Sequence, residues 1–371
     1  MVSSNSRVKN KEKEERKTKT KTKTKRMDCC FKREVLMREV EYGEKQRRCI
    51  GEAFFSGLKA RERKLVCVTS GNSLFGSRLI KELLIHGYFV RATVQNPGDL
   101  EDMKRLLSNE EMGQVESVVV AKMGDLDSLC EAFTGCHAVF HTSSFIDPHG
   151  VAGYTERMVF LETEAARNVV EACGRAAYIK RCVFTSSLLA SIWTGGDSDQ
   201  IIDESCWSDE DFCVENKLWL ALGKTRAEKV AWNKANVMRV KLVTVCPSLI
   251  MVPSFPVARN ESSLPYLKGG RIMFQRGTLA TKDVDKLAKA HVQVYEDLDY
   301  GACGRYICYD RIVSTTEEAI QLENALKLHG LLSGDRNAEE NDADAMIPAR
   351  ITNNKLNRLL RNASQRLSCR R

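Results

Sequence analysis

Residues 64–94 read KLVCVTSGNSLFGSRLIKELLIHGYFVRATV, and the fold is decided in this stretch. Residues 65–68 form a short apolar run suited to a strand buried on both faces, and residues 69–76 form a turn. From Phe75 the apolar residues Leu79, Ile80, Leu83 and Leu84 recur at helical spacing, and His86-Gly87 supplies the stop. Residues 88–94 are a second β-rich run. A strand that turns tightly into a helix aims free backbone N–H groups and the positive end of the helix dipole at one point, which suits a phosphate. The dinucleotide fingerprint spaces three glycines there, for the sharp turn, the close approach of backbone to pyrophosphate, and the packing of helix on strand. With Gly76 as the third glycine, Ser70 and Ser73 occupy the first two places, so the candidate pyrophosphate contacts are Gly71, Ser73, Leu74, Phe75 and Gly76. An ordinary βα turn is the competing reading. A nucleotide-triphosphate loop is not, because Ser77 and Arg78 stand where Lys and Ser or Thr are required.

The pattern repeats along the chain. Strands are expected at 118–121, 138–141, 182–185 and 242–245, with helices at 126–133, 154–177 and 217–235 between them. Strands alternating with helices imply an α/β fold with a doubly wound parallel sheet of Rossmann type, whose ligands lie at the carboxyl ends of the strands. The residues to inspect there are Gln95, Asp125 with Leu126, Thr142 with Ser143, Ser187, and Pro247 with Ser248. An NAD site typically places an acid after the second strand, to hold the ribose 2′-hydroxyl. Gln95 and Asn96 follow that strand here and Arg91 lies within it, so NADP(H) is the expected cofactor and Arg91 a candidate contact for its 2′-phosphate.

Composition narrows the class. With 371 residues, 43% of them hydrophobic, the chain is long enough to bury a substantial core. No run of about 18 uncharged apolar residues suggests a membrane span. No apolar signal-peptide core follows the basic start, so the 14 cysteines read as reduced thiols of a cytoplasmic protein, and no metal site is expected. Residues 1–64 hold 21 Lys and Arg against 10 Asp and Glu, a balance of +11, which leaves −3 on the other 307 residues of a chain whose net charge is +8. The basicity therefore belongs to an N-terminal extension, residues 1–63, whose Lys/Thr repeat at 17–25 has no apolar periodicity and is expected to be disordered. Such an arm suits nucleic acid electrostatically, but the body carries no nucleic-acid-binding pattern, and no such partner is expected. Residues 64–330 read as the dinucleotide-binding domain, with a small substrate lobe mainly from 251–310. Residues 331–371 read as a charged tail with one helix near 354–367.

Further segments are more specific than the loop. DESCWSDEDFC at 203–213, LWLALGKTRAEKVAW at 218–232, CGRYIC at 303–308, VFTSS at 183–187 and TKDVDKLAKAH at 281–291 together resemble the extended short-chain dehydrogenase/reductases of plant phenylpropanoid metabolism. Within these the chain is most similar to the cinnamoyl-CoA reductase-like branch, near the dihydroflavonol reductases, over about residues 64–313. The resemblance implies an NADP(H)-dependent reductase of an aromatic carbonyl or acyl thioester, built on a Ser, Tyr and Lys set. In that set the tyrosine protonates the carbonyl oxygen, the lysine lowers its pKa and holds the nicotinamide ribose, and the serine hydrogen-bonds the same oxygen. Carried over, the serine is Ser187 and the lysine Lys224. The tyrosine belongs four residues before the lysine, and that residue is Leu220. Gln95 likewise stands for the family's arginine and Val252 for a glycine. The expectation is a reductase weakened by Leu220; the alternative is a non-catalytic dinucleotide-binding scaffold or redox sensor.

Overall fold

In the computed structural model, successive residues of Leu65–Val68 (β1) serve different layers. Val66 and Val68 face one apolar layer and Cys67 the other, and all three are fully buried. The described residues are 64–142, 154–179, 181–195, 200–252, 263–326 and 347–368, so the basic extension 1–63 lies outside them. The further strands are Phe89–Val94 (β2), Ser117–Val120 (β3), Ala138–His141 (β4), Arg181–Thr185 (β5), Lys241–Pro247 (β6), Leu249–Met251 (β7), Ala280–Asp283 (β8), Gly304–Cys308 (β9) and Arg311–Ile312 (β10). Seven of them form one parallel sheet in the order β3-β2-β1-β4-β5-β6-β9. The order reverses between β1 and β4, which is where a doubly wound sheet opens its ligand crevice. The doubly wound parallel fold expected from the sequence is the fold observed.

The helices are Leu74–Ile85 (α1), Asp99–Leu106 (α2), Asn109–Gln114 (α3), Leu126–Phe133 (α4), Glu156–Arg175 (α5), Glu210–Glu215 (α6), Trp219–Met238 (α7), Ser263–Leu267 (α8), Gly270–Gln275 (α9), Val284–Glu296 (α10), Thr316–Ala325 (α11) and Asn354–Ser368 (α12). The apolar stripe Phe75, Leu79, Ile80 and Leu83 sets α1 on the sheet beside α10, with Phe75 against the His291 ring at 4.8 Å. Its end follows the sequence signal, since His86 caps the helix and Gly87 adopts φ +78°, a conformation that glycine enters without strain. On the opposite face α4, α5 and α7 cover the sheet. Alanines line the facing sides of α5 and α7 (Ala165, Ala166 and Ala172 against Ala227, Ala231 and Ala235), which lets the two helices approach closely. At Gly174 a Cβ would stand 2.5 Å from Met238 Cβ, so glycine is what admits that contact.

The lobe differs from the sequence division. The sequence places it mainly at 251–310, but α10 packs on the main sheet and β9 is that sheet's seventh strand. A second sheet, β10-β8-β7, and a separate apolar cluster around Trp193, Leu222, Tyr266 and Met273 form the smaller unit beside it. Within the expected tail, residues 347–368 are also built into the body. Leu356 and Leu359 are buried in the α1/α10 layer, Ile351 bridges to Ile202, and Lys355 Nζ donates to the carbonyls of Cys303 and Arg305 at 2.8 Å each. Charge made that segment look like a tail, whereas the apolar residues of a single helix face dock it. Among the described residues no helix is long and apolar enough to cross a membrane.

Candidate active site

The carboxyl ends of β1 and β4 are laced together. Thr69 Oγ1 lies 3.1 Å from His141 Nδ1 and accepts from Thr142 N at 3.0 Å, while Thr142 Oγ1 donates back to the Thr69 carbonyl at 2.5 Å. The turn between β1 and α1 then closes as a dinucleotide loop would. Gly71 N donates to Thr93 O at 2.9 Å, tying the turn to β2, and a Cβ on Gly71 would stand 2.9 Å from Ala92 Cβ. At Gly76 a Cβ would fall 2.3 Å from the Ser70 carbonyl, so this position admits only glycine. Ser70, at the first glycine's place, holds φ +51°, a left-handed conformation that costs a serine strain. Ser73, at the second, caps the helix, and its Oγ accepts from Gly76 N at 2.9 Å. The N–H groups of Leu74 and Phe75 have no intrahelical acceptor at this end. These residues fit a pyrophosphate, and Ser73 Oγ already holds one of the N–H groups a phosphate oxygen would use.

The far end of the crevice differs from expectation. Arg91, a candidate for the 2′-phosphate, turns toward the amino edge of the sheet. It donates from Nη1 to the carbonyls of Ala132 and Thr134 at 2.9 and 2.7 Å and from Nε to Ser117 Oγ at 3.1 Å, and it pairs with Glu116. The correction follows from strand direction, because Arg91 lies three residues before the carboxyl end of β2. What does meet that end is Asp99, whose Oδ2 accepts from Gln95 N at 3.1 Å and Asn96 N at 2.9 Å. Asp99, Glu101 and Asp102 form the first turn of α2. Asp125 is engaged locally too, capping α4 by accepting from Asp127 N and Ser128 N at 3.1 and 3.3 Å, with Leu126 next as the helix's first residue. Pro247 ends β6, and Ser248 N donates to Cys308 O at 3.0 Å, while its hydroxyl is buried with no hydrogen-bond partner among the described residues. Ser143 lies outside the described residues.

The catalytic end is built by β5 and α7. Ser187 follows β5 and caps a 3₁₀ turn, Leu188–Ala190, with its Oγ accepting from Leu189 N at 3.2 Å. Lys224 is buried on α7 and its Nζ pairs with Glu162 of α5 at 2.5 Å. Leu220 packs against the lobe's apolar cluster one turn earlier. His141 shows how near the lysine comes to the β4 terminus: burial, then the Lys224 charge, push its imidazole down to about 3. Sequence reasoning missed Glu162. Its signal was an acid among Met158, Val159, Ala165 and Ala166 on the apolar face of α5, where a charge stays only if it is paired.

Beneath these groups is the structural reason for DESCWSD and GRYIC. Arg305 of β9 pairs with Glu228, one turn beyond Lys224, through Nε at 2.9 Å and Nη2 at 3.2 Å. It also donates to Ser191 Oγ and to the carbonyls of Glu204 and Cys206, and it lies 3.8 Å from the Trp207 ring centroid. Glu228 in turn accepts from Ser186 Oγ and Thr244 Oγ1 at 2.6 Å each. One buried ion pair thus joins the segment around 203–207, β9, α7 and the residue beside Ser187.

The profile of the 3-beta hydroxysteroid dehydrogenase/isomerase family matches residues 67–299, more than half of the chain. Cinnamoyl-CoA reductase 1 of Petunia hybrida is 37% identical over 264 residues, covering 69% of this chain and 75% of that protein. Tetraketide alpha-pyrone reductase 1 of Arabidopsis thaliana is 34% identical over 259 residues, covering 68% and 78%. Among solved structures, vestitone reductase of alfalfa aligns with TM-score 0.58 at 26% identity over 80% of this chain and 92% of its own. Yeast methylglyoxal/isovaleraldehyde reductase Gre2, complexed with NADPH, aligns with TM-score 0.60 at 18% identity over 80% and 92%, a likeness of fold. The chain belongs to the 3-beta hydroxysteroid dehydrogenase/isomerase family, as an oxidoreductase of the extended short-chain type.

Proposed function

We propose that the chain is a nicotinamide-dinucleotide-dependent reductase of an aromatic carbonyl or acyl thioester of phenylpropanoid type, acting in the cytoplasm. The observation that carries this reading is the placing of the Thr69–Thr142 lacing at the carboxyl ends of β1 and β4, Ser187 after β5 and a buried Lys224 whose charge reaches His141 of β4, together with a turn shaped for pyrophosphate. The named activity of a relative 37% identical supports the substrate class. A bound dinucleotide would supply hydride. The backbone of Gly71, Leu74 and Phe75 would hold its pyrophosphate, Thr142 and Lys224 would border its ribose, and Ser187 Oγ would donate to the substrate oxygen.

The narrower form, NADP(H), is supported by the absence of an acid at positions 95 and 96 and opposed by Asp99, whose carboxylate already holds both N–H groups there. Titrating both cofactors against the parent chain and Asp99→Asn decides the point. Tighter NADPH binding by the parent supports the narrower form. Tighter NADH binding that Asp99→Asn reverses contradicts it.

A second reading, a non-catalytic dinucleotide-binding scaffold or redox sensor, is favoured by Leu220 alone. Mixing the full chain with NADPH or NADH and a hydroxycinnamoyl thioester or cinnamaldehyde separates the two. Turnover that rises in Leu220→Tyr supports the reductase, and cofactor binding without turnover in either protein supports the scaffold.

A further inference from the structure

The α5–α7 pair encloses a polar cluster for which the residues assigned so far give no role. Tyr154 precedes α5, is 5% exposed, and packs among Leu188 and Leu189, which follow Ser187, and Ala221 and Leu222 of α7. Its hydroxyl lies over Gly223, the residue before Lys224, where a Cβ would stand 2.5 Å from Tyr154 Oη and 3.2 Å from Cζ. Glycine inside a helix is less stable than alanine, so the notch runs against local preference. The carboxylate of Glu162, itself 3% exposed, pairs with Lys224 Nζ at 2.5 Å. Burial, then the charge of Glu162 and a hydrogen bond with it, raise the Tyr154 phenol above its ordinary value. Tyr154 Oη also donates to the Met158 carbonyl at 3.4 Å. Phenol, carboxylate and ammonium thus stand in a chain between the turn that carries Ser187 and the turn that carries Lys224.

The geometry points to Tyr154 as the proton donor of this active site, supplying from the start of α5 the phenol that position 220 lacks on α7, with Glu162 as the positioning residue that ties it to Lys224. This rests on the reductase reading above. In the reduction, hydride brings two electrons to the carbonyl carbon and the C=O π pair moves onto oxygen. The O–H bond of Tyr154 breaks as its proton passes to that oxygen, giving the alcohol, and the dinucleotide is left oxidised by two electrons. The tyrosinate regains a proton from the Lys224 ammonium through Glu162, and the lysine regains one from water. Burial makes the phenol a weaker acid than an ordinary tyrosine, so its proton passes to the oxygen only as the alkoxide charge develops there.

The test uses the full chain with NADPH or NADH and cinnamaldehyde, reading kcat and, separately, the dinucleotide Kd from nicotinamide fluorescence. Tyr154→Phe keeps the ring and removes Oη; it is expected to lower kcat by about 10²-fold or more while the Kd stays within about twofold. Gly223→Ala, which pushes Oη from its notch while favouring the helix, is expected to move kcat in the same direction. Adding Leu220→Tyr to Tyr154→Phe is expected to restore turnover from the other helix. A parent chain that turns over and a Tyr154→Phe variant within about threefold of it would overturn the assignment and leave the reductase reading standing. Turnover only in proteins carrying Leu220→Tyr would overturn the assignment together with the reductase reading of the parent chain. Dinucleotide binding with no turnover in any of these proteins would overturn both.

Discussion

The two ends of the crevice depart from the family pattern in different ways. At the turn between β1 and α1 serines stand at two of the fingerprint's glycine places, yet Gly71 ties to β2 and Gly76 meets the Ser70 carbonyl where no Cβ fits. On α7 the proposed chemistry depends on side chains, and Leu220 is an apolar side chain at the place the resemblance gives to a phenol. A site made of peptide N–H groups tolerates substitution so long as the path of the chain survives. A site that relies on a phenol and an ammonium does so only if another side chain supplies the lost group, as Tyr154 does in the proposal above.

That contrast can be broken first at its foundation. Arg305→Met leaves Glu228 buried without its charge partner, and the change is expected to destabilise the fold by about 3–5 kcal/mol in chemical denaturation. A loss under about 1 kcal/mol would mean that the ion pair does not hold α7 to β9. Acid is the next lever. His141 and His291 are buried and their imidazoles are lowered, by burial first, to about 3 and about 4. Both therefore stay neutral in the fold while the unfolded chain takes up protons below about pH 6.5, the ordinary histidine value. Their contribution is complete above that pH and is lost as pH falls from 6.5 toward the folded values, with a slope of up to about 1.4 kcal/mol per pH unit for each. Denaturation midpoints between pH 7 and 5 measure it, and a flat profile would contradict the burial of both rings. The smallest effect sharpens the other end. Ser73→Gly removes the hydroxyl that holds Gly76 N, so stability should change by only a few tenths of a kcal/mol. Dinucleotide affinity should rise by up to about tenfold, the worth of one freed hydrogen bond. Unchanged or weaker binding would show that Ser73 is not in the phosphate's way.

Sequence periodicity was sufficient for the parts of the fold that repeat. The run 126–133 is α4 to the residue, and the strand after Arg181 and the stop at Gly87 stand where apolar spacing and glycine put them. It was insufficient where a residue's role depends on direction. Arg91 was legible as a base near the carboxyl end of β2, but its reach toward Ala132 and Thr134 depends on where the end of α4 lies against the sheet, which local sequence does not contain. Asp99, four residues beyond Gln95, returned to the strand end through a turn that propensity alone does not close. Tyr154 and Glu162 lie 70 and 62 residues before Lys224, so their meeting at Gly223 and Lys224 depends on the packing of α5 on α7.

The central claim is that residues 69–76 are a dinucleotide site despite their serines, and a fluorescence titration of the full chain with NADH and NADPH, repeated on Gly76→Ala, tests it most directly. Saturable binding of at least one cofactor by the parent chain is expected, with its loss in Gly76→Ala, where the new Cβ would fall 2.3 Å from the Ser70 carbonyl. No binding of either cofactor by the folded parent chain, or equal binding by Gly76→Ala, would contradict it.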